Sequence, residues 1–340
     1  MNALVTGGGG FLGGAIVRRL VERGDRVASL ARGRYTELEA LGVEQHQGDV
    51  ADAGAVMKAT TGCDVVFHVA AKAGVWGPYA EYHRANVVGT ENVFAACRAH
   101  GVSRLVYTSS PSVVFNGRDQ EGVNESAPYP KHFEAHYPRT KALAERLVLA
   151  ANRPALATVA LRPHLIWGPG DNHLVPRILE RGRAGKLRRV GRHNKLIDTT
   201  YIDNAADAHL LAADRLAPGS PVAGKAYFVS QGEPVPLWDM VKRILAAGGV
   251  APVTRSVPVP VAYLAGWLCE LVYGTMRWRE EPPMTRFVAH ELSTAHWFDI
   301  SAARRDLGYE PRVSVEEGLA RLAAWLGGAP YSNSTLTDSL

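Results

Sequence analysis

A glycine-rich turn follows the first predicted strand of the chain. Ala3-Leu4-Val5 is a short apolar run, and Thr6-Gly7-Gly8-Gly9-Gly10-Phe11-Leu12-Gly13 comes directly after it, with glycines at positions 7, 10 and 13. Glycine permits a tight turn and lets backbone amides approach a pyrophosphate, and the helix that begins there adds its partial positive charge. The turn therefore predicts a nucleotide site at the start of a parallel sheet.

The first half of the chain alternates predicted strands and helices. Such an alternation predicts a parallel sheet that is covered on both faces and wound right-handed. The fold class that we expect is α/β, a Rossmann doubly wound parallel sheet with a smaller C-terminal substrate-binding lobe. The predicted strands after the first are residues 26–31, 43–47, 64–69, 104–109 and 157–161, and the predicted helices are residues 11–23, 53–60, 82–100 and 137–151.

The regular alternation ends after Arg162-Pro163, where proline and glycine become frequent. We therefore expect residues 1–164 to form a dinucleotide-binding domain, with returns of the chain near 196–230. Residues 165–195 and 231–330 are expected to form the substrate lobe, and residues 331–340 a polar tail. Hydrophobic residues make up 46% of the 340 residues, which is enough for a full core and excludes a disordered chain.

The end of the second predicted strand distinguishes the two nicotinamide dinucleotides. NAD sites usually place an acid here to bind ribose hydroxyls, but the sequence reads Ala31-Arg32-Gly33-Arg34. Arg32 and Arg34 can pair with a 2′-phosphate, and the alternative is two solvated loop arginines. The pattern favours NADP(H). Asp49, after the third strand, is expected either to accept a hydrogen bond from the adenine amino group or to stabilise a turn.

Two further motifs carry acid–base chemistry. Tyr137 and Lys141 are four residues apart, so on a helix both side chains project from one face. A phenol with a pKa near 10 exchanges protons poorly at neutral pH unless a cation lies nearby, and Lys141 supplies one. Ser109 and Ser110 end a predicted buried strand, at the edge where open α/β sheets bind ligands. A serine there can hydrogen-bond to a substrate carbonyl.

These motifs make the chain similar to the extended short-chain dehydrogenases/reductases. Residues 108–115 and 297–309 resemble the 3β-hydroxysteroid dehydrogenase branch, and residues 71–78 look closer still to the bacterial β-keto acid reductases of long-chain olefin synthesis. After the serines stands Val113-Val114-Phe115 where sugar epimerases usually have Val-Tyr-Gly, which argues against a nucleotide-sugar substrate. The resemblance is carried by Thr6-Gly7-x-x-Gly10-x-x-Gly13, Asp49, His68-Val69-Ala70-Ala71, Asn86-Val87-x-Gly89-Thr90-x-Asn92, Thr108-Ser109-Ser110, Tyr137-x-x-x-Lys141, Arg162-Pro163 and Gly168-Pro169.

The resemblance implies a role for each matching residue. Tyr137 is the expected proton donor, Lys141 its electrostatic activator and ribose ligand, and Ser110 the donor to the carbonyl, with Ser109 as the alternate. Asn86 matches a helix asparagine whose role varies in the family. The residues that we expect to contact NADP(H) are Thr6, Gly7, Gly9, Gly10, Phe11, Leu12, Gly13, Arg32, Arg34, Asp49, Val50, Val69, Ala70, Ala71, Lys72, Thr108, Ser109, Tyr137, Lys141 and Pro163.

The function that the resemblance implies is NADPH-dependent reduction of a ketone to a secondary alcohol. The expected substrate is a long-chain 2-alkyl-3-oxoalkanoic acid, which becomes the 2-alkyl-3-hydroxyalkanoic acid. One alternative is a 3β-hydroxysteroid or sterol dehydrogenase, which an NAD preference would favour. Another is a non-catalytic nucleotide-sensing protein on the same fold, although such a sensor need not keep the Ser110, Tyr137 and Lys141 set.

Two segments suit an acidic, apolar substrate. Residues 257–276 are rich in Val, Leu, Trp and Tyr, which indicates a core helix, a lid over an alkyl chain or a membrane-surface helix. Residues 177–195 contain eight basic residues and one acid, a charge of +7 in a chain whose net charge is +5. This segment either faces the substrate carboxylate or is a solvated face. It lacks interleaved aromatic residues, so we expect no nucleic-acid partner.

The remaining expectations concern metals, location and assembly. Cys63, Cys97 and Cys269 are far apart, which is typical of neither a disulfide framework nor a zinc site and favours a reducing compartment. His132 and His136 lack the glutamate of a zinc peptidase, so we expect no metal. A strand-like run at residue 2 argues against a signal peptide, and we expect a cytoplasmic homodimer with membrane-surface or multi-enzyme association as a further option.

Overall fold

The computed structural model describes residues 1–329, and the expected tail at 331–340 lies outside this range. The strands of this part of the chain are β1 (Asn2–Thr6), β2 (Arg26–Ala31), β3 (Glu44–Gln47), β4 (Val65–His68), β5 (Arg104–Thr108), β6 (Gln120–Val123), β7 (Ala157–Pro163), β8 (Ile166–Trp167), β9 (Arg189–Val190), β10 (Leu196–Ile197), β11 (Thr200–Tyr201), β12 (Lys225–Val229), β13 (Val235–Pro236), β14 (Ser256–Val257) and β15 (His296–Phe298).

The helices surround these strands. They are α1 (Phe11–Glu22), α2 (Thr36–Ala40), α3 (Ala53–Ala59), α4 (Tyr79–His83), α5 (Gly89–Ala99), α6 (His136–Ala150), α7 (Leu174–Arg183), α8 (Ile202–Arg215), α9 (Leu237–Ala247), α10 (Val259–Thr275), α11 (Arg286–Glu291), α12 (Ser301–Leu307) and α13 (Val315–Leu326).

Seven parallel strands form the main sheet, in the order β12-β7-β5-β4-β1-β2-β3. The chain runs from β1 outward to β3 on one side, then returns to β4 on the other side of β1. The strand order therefore reverses between β1 and β4, which is where doubly wound sheets leave a crevice for a ligand. The predicted fold class is confirmed.

Apolar side chains cover both faces of this sheet. Leu4 and Val5 are adjacent in β1 and point to opposite faces, as successive residues of a strand must. Val5 packs in a cluster with Ile16 of α1 and residues of α8, whereas Leu4 packs with Val93 of α5 and residues of α3 and α6. Burial of the sheet on both faces explains why its central strands are almost continuously apolar.

Shorter strands form three smaller sheets: β13-β10-β15-β6, β11-β8 and β14-β9. The sequence predicted that the chain returns to the first domain near residues 196–230. Within that range β12 joins the main sheet, whereas β10 pairs with strands of the four-stranded second sheet. β6, from the first 164 residues, also lies in the second sheet, beside β15. The domain boundaries themselves stay a prediction. No helix within residues 1–329 is long and apolar enough to cross a bilayer.

One predicted element has a different form in the structure. The helix expected over residues 82–100 is divided into α4, a π-helical turn at Arg84–Val88 and α5. π-helical turns are rare and occur frequently at functional sites. This turn carries Asn86, whose side chain is buried among the groups of the candidate site.

Candidate functional site

The glycine turn connects β1 to α1 at the point where the strand order reverses. Gly7 has φ of +74°, a conformation that favours glycine, and a Cβ on Gly13 would lie 2.1 Å from the carbonyl oxygen of Gly7. Gly10 caps α1 without any side-chain hydrogen bond, so the first amides of the helix have no side-chain partner. A tight turn that leads into an uncapped helix N-terminus fits the pyrophosphate of a nicotinamide dinucleotide.

A hydrogen-bond chain fixes the backbone on either side of this turn. Oγ1 of Thr6 accepts the N–H groups of Val69 and Ala70, both at 3.1 Å, so its own proton is directed to Nδ1 of His68 at 2.8 Å. The proton of His68 is then on Nε2, which donates to Thr90 at 2.9 Å. Burial lowers the pKa of His68 to about 3, so the ring is neutral. This chain holds the ends of β1 and β4 together.

Asn86 links the loop after β4 to the helix that carries the predicted catalytic pair. Its Oδ1 accepts the N–H of Lys72 at 2.7 Å, and its Nδ2 donates to the Lys72 carbonyl at 3.1 Å and to Oγ1 of Thr140 at 3.0 Å. Thr140 stands between Tyr137 and Lys141 in α6. Asn86 therefore positions both the loop and α6 relative to each other.

The structure brings Ser110 and Tyr137 together. Ser110 follows β5, and its Oγ accepts the N–H of Ser112 at 3.2 Å, which orients the hydroxyl. Burial raises the pKa of Tyr137, and a hydrogen bond with Ser110 partly opposes that rise. We expected Lys141 to lower the pKa of this phenol, but burial and Ser110 are the influences that shift it, and Lys141 is not one of them. The phenol is therefore protonated at neutral pH, as a proton donor must be.

Lys141 is fully enclosed beneath the end of β5. Its Nζ donates to the carbonyl oxygen of Thr108 at 2.5 Å and lies 4.2 Å from the ring centre of Tyr107. Burial lowers the pKa of Lys141 to about 7, although the nearby Glu145 carboxylate raises it. A lysine in this state changes its charge within the physiological range, which is typical of functional lysines.

Glu145 is a residue that the sequence reasoning missed. It lies one helical turn after Lys141 and accepts hydrogen bonds from Arg162 at 3.0 and 2.6 Å and from the Tyr129 hydroxyl at 2.6 Å. Burial raises the pKa of Glu145, but the hydrogen bonds and charge of Arg162, together with hydrogen bonds from Ser109 and Tyr129, lower it by more, so its pKa is below the usual value. Glu145 is therefore an anion behind Lys141, and its spacing of four residues from Lys141 was the available signal.

The two arginines after β2 are exposed and carry no ion pair within residues 1–329. The backbone of Arg32 is held by Gln47, whose Nε2 donates to the Arg32 carbonyl at 3.1 Å. Asp49 accepts the N–H of Ala51 at 2.9 Å, so its side chain does stabilise a turn. The contacts of these residues with adenosine stay a prediction.

The other predicted cofactor residues lie along the same edge of the sheet, and their contacts with a cofactor stay a prediction. They follow or complete strands at their carboxyl ends, as dinucleotide sites in such sheets require. Ser109 is fixed there by its N–H, which donates to the Leu161 carbonyl at 2.6 Å. These residues are Phe11 and Leu12 after β1, Val50 after β3, Val69, Ala70, Ala71 and Lys72 after β4, and Thr108, Ser109 and Pro163 at the ends of β5 and β7.

A cavity of about 560 Å³ opens beside the start of α6. Its apolar wall includes Val75 and Trp76 from the loop after β4 and Tyr273 from α10. The indole of Trp76 donates to the Trp278 carbonyl at 3.0 Å, so this loop and the end of α10 are connected. The C-terminal half of the 257–276 segment therefore does border a cavity, as one of the predicted alternatives required.

The cations at this cavity are not those that we expected. None of the residues that line it belongs to the 177–195 segment, and the lining arginines are Arg277, Arg279 and Arg286. Arg286 is bound to Glu270, and Arg279 lies 3.5 Å from Glu81. Arg277 has no ion pair within the described part of the chain and has φ of +54°. This left-handed residue ends α10, where the N–H of Trp278 donates to the Tyr273 carbonyl at 3.0 Å, so the turn fixes the backbone of Arg277.

The chain is similar to characterised proteins over almost its whole length. A model of the 3-beta hydroxysteroid dehydrogenase/isomerase family matches residues 4–259. The 2-alkyl-3-oxoalkanoate reductase of Stenotrophomonas maltophilia is 56% identical over 95% of this chain and 99% of its own length. The enzyme of that name from Shewanella oneidensis is 55% identical over 96% of this chain and 86% of its own length. These matches confirm the predicted resemblance.

More distant relatives and solved structures share the same architecture. A decarboxylating sterol-4-alpha-carboxylate 3-dehydrogenase of Schizosaccharomyces pombe is 38% identical over 96% of this chain and 98% of its own length. The crystal structure of gox2253 superimposes with a TM-score of 0.77 at 27% identity and covers 96% of this chain and 97% of that one. MoeE5 in complex with UDP-glucose and NAD has a TM-score of 0.73 at 25% identity over 96% of this chain and 98% of its own.

Proposed function

Because the chain belongs to the 3-beta hydroxysteroid dehydrogenase/isomerase family, we propose that it is an NADPH-dependent reductase of long-chain 2-alkyl-3-oxoalkanoic acids. The product is the 2-alkyl-3-hydroxyalkanoic acid. The observation that carries the proposal is the pairing of Tyr137 with Ser110, directly after His136, which lines a cavity with an apolar wall and with Arg277, an arginine that has no ion pair in residues 1–329. Two relatives more than half identical to the chain bear the corresponding enzyme name.

The chain's own residues supply the acid chemistry. Bound NADPH supplies the hydride that reduces the carbonyl carbon. Ser110 donates a hydrogen bond to the carbonyl oxygen, and Tyr137 transfers its phenolic proton to that oxygen as negative charge develops. The raised pKa of Tyr137 suits this direction, because the phenol carries its proton before the reaction. Lys141 then stabilises the phenolate that remains and binds the ribose.

The preference for NADP(H) over NAD(H) rests on Arg32 and Arg34. Both guanidinium groups are exposed at the carboxyl end of β2, where no acid stands to bind the 2′-hydroxyl. A 2′-phosphate between them would accept charge-assisted hydrogen bonds, each of about 1.5–3 kcal/mol. The ring of Tyr35 lies directly against Gly9 of the glycine turn, where a Cβ would be only 2.1 Å from the ring. Tyr35 therefore adds an aromatic surface beside the turn.

The shared chemistry of the relatives supports Arg277 as the carboxylate ligand. A 2-alkyl-3-oxoalkanoate and a sterol-4-carboxylate with a 3-hydroxyl group both have a carboxylate on the carbon next to the reacting one. An enzyme for either substrate therefore needs a cation close to the carbonyl. Arg277 is the cavity arginine without an ion pair in the described residues, and the apolar wall of Val75, Trp76 and Tyr273 accommodates the alkyl part.

A sterol dehydrogenase is the second candidate, because a relative of that name is 38% identical and an apolar cavity also fits a sterol. NADPH and NADH oxidation should be measured with 2-alkyl-3-oxo acids, 3-oxosteroids and nucleotide sugars. The proposal expects turnover of the oxo acids with NADPH and its loss in Tyr137→Phe. Turnover of 3-oxosteroids alone would replace the proposal with the second candidate. The expected homodimer stays a prediction that the mass in solution tests.

A further inference from the structure

The outer surface of α10 and the residues just after it expose many large apolar side chains. Their exposed fractions lie between 44% and 61%, whereas most residues of this type elsewhere in residues 1–329 are buried. Patches of this size on soluble proteins mark contact surfaces. We call this surface the α10 patch, and its members are Val261, Leu264, Trp267, Leu268, Leu271, Val272, Met276 and Trp278.

Within α10 itself the α10 patch carries no charge, and beyond the end of the helix Arg277 lies between its members Met276 and Trp278. Glu270 is the one Asp, Glu, Lys or Arg residue of α10, and it points inward. Its Oε1 accepts the N–H of Arg286 and its Oε2 accepts from Nε of Arg286, both at 2.7 Å. The inner side of the helix is held close to the protein, since a Cβ on Gly266 would lie 2.6 Å from the backbone of Thr285. The helix therefore has one docked side and one uncharged outer side.

Basic residues adjoin the N-terminal end of this helix. β14 leads into α10 and pairs with β9, and Ser256 is the register partner of Arg189. The 177–195 segment is therefore next to α10. Two of its cations have acidic partners, Arg177 with Glu281 and Lys195 with Asp119. Its six other cations have no ion pair within residues 1–329, and neither has the nearby Arg255; the six are Arg181, Arg183, Lys186, Arg188, Arg189 and Arg192.

We infer that the α10 patch docks on the surface of an anionic lipid bilayer, with the adjoining basic residues against the lipid headgroups. An exposed apolar helix side can lie in the plane of a membrane interface when cations are close to it, and here the 177–195 segment and Arg255 supply the cations rather than α10 itself. Each arginine or lysine near such a surface adds an attraction that ends within a Debye length. Trp267 and Trp278 suit the interface, where indole rings accumulate.

Charge favours a bilayer over a second protein surface. Six cations without an ion pair in residues 1–329 adjoin the apolar patch, and an anionic leaflet offers them a negative surface over any area. Tyr273 and Gly274 of the same helix line the cavity, so docking would place the cavity mouth near the lipid. If the proposed function holds, a long-chain substrate can enter the cavity from the bilayer without crossing water.

The test is co-sedimentation of the full chain with vesicles of phosphatidylcholine alone or with 30% phosphatidylglycerol. The variants are Leu264→Ser with Leu268→Ser for the patch, and Arg192→Ser with Arg255→Ser for the charge. The matched control is Leu41→Ser with Met57→Ser. Both residues are exposed and apolar, and they lie directly after α2 and within α3. NADPH binding by fluorescence shows that each variant is folded, and no substrate is required.

We expect the wild type and the control to sediment with phosphatidylglycerol vesicles and much less with phosphatidylcholine alone. Either pair of substitutions is expected to weaken this binding tenfold or more, and added salt is expected to weaken it further. Failure of the wild type to bind, or equal binding by the patch variant, overturns the inference. A patch variant that changes from dimer to monomer while vesicle binding stays absent shows that a second copy covers the patch. Inactivity towards oxo acids would instead contradict the proposed function and leaves vesicle binding unaffected.

Discussion

Nζ of Lys141 lies 2.5 Å from the carbonyl oxygen of Thr108, the last residue of β5. This hydrogen bond holds the lysine of α6 against the end of the central strand that precedes Ser109 and Ser110. The ammonium is enclosed by Tyr107 and by the strand end, and its pKa falls to about 7 because burial disfavours the charge. The buried position that makes Lys141 useful for catalysis therefore lowers the free energy of unfolding of the protein.

Lys141→Met should raise the melting temperature and abolish turnover. In the unfolded chain the pKa of this lysine is near 10.5, whereas it is about 7 in the folded protein. The buried lysine therefore lowers the free energy of unfolding of the wild type most below pH 7. This loss of stability becomes smaller as the pH rises towards 10.5. We expect the Lys141→Met variant to melt at a higher temperature than the wild type, and we expect this difference in melting temperature to be larger at pH 6 than at pH 9 by roughly 3 °C or more. Thermal unfolding of both proteins at the two pH values measures it, and an equal difference at both would contradict a buried, depressed lysine.

Tyr137→Phe should lower kcat by about 10²–10⁴-fold, since positioned acid catalysis contributes an effect of this size. The phenol lies close to Ser110, and its hydroxyl is needed only as charge develops on the substrate oxygen. NADPH affinity should be nearly unchanged. Steady-state kinetics with fluorescence titration of NADPH separates the two quantities, and a near-normal kcat would assign proton donation to another group.

Arg32→Ala should weaken NADPH far more than NADH. A lost charge-assisted hydrogen bond to a 2′-phosphate corresponds to about 1.5–3 kcal/mol, or roughly 10- to 150-fold in Kd. Arg26→Ala is the matched control, because Arg26 is an exposed arginine at the opposite end of the same strand. Titrations of both variants with both cofactors test the prediction. Equal losses for NADPH and NADH in Arg32→Ala would show that Arg32 does not select the cofactor.

Arg277→Gln should reduce kcat/KM for an oxo acid by about tenfold or more, and should change the rate for its methyl ester little. The comparison variant is Arg279→Gln, whose guanidinium lies 3.5 Å from Glu81 and whose effect should be smaller. Rates for acid and ester with each variant give the answer. If the acid and the ester lose equally, Arg277 has a structural role and another group binds the carboxylate.

Features that depend on local sequence were predictable. The glycine turn requires residues without Cβ within one short segment, and Tyr137 with Lys141 requires only a four-residue spacing on a helix. The alternation of strands and helices likewise follows from short-range periodicity. These local features define the sheet, the cofactor edge and the catalytic pair.

Features that depend on contacts between separate parts of the chain were not predictable from the sequence. Arg277 reaches the cavity because the end of α10 meets the loop after β4, about 200 residues earlier in the chain. The 177–195 segment was the more conspicuous cationic run, but its density of charge carries no information about which side it faces. β6 joins β15 in the second sheet across a similar distance. Glu145 and Arg162 are 17 residues apart, and their buried pair depends on how α6 packs on β7.

The central claim is tested most directly by following the hydride. The full chain should be incubated with a long-chain 2-alkyl-3-oxoalkanoic acid and NADPH that carries deuterium at both C4 positions of the nicotinamide, and the product examined by mass spectrometry. The account predicts a 2-alkyl-3-hydroxyalkanoic acid with one deuterium on C3, which forms with the wild type and is nearly absent with Tyr137→Phe. No deuterated hydroxy acid from the folded, NADPH-binding protein would contradict it.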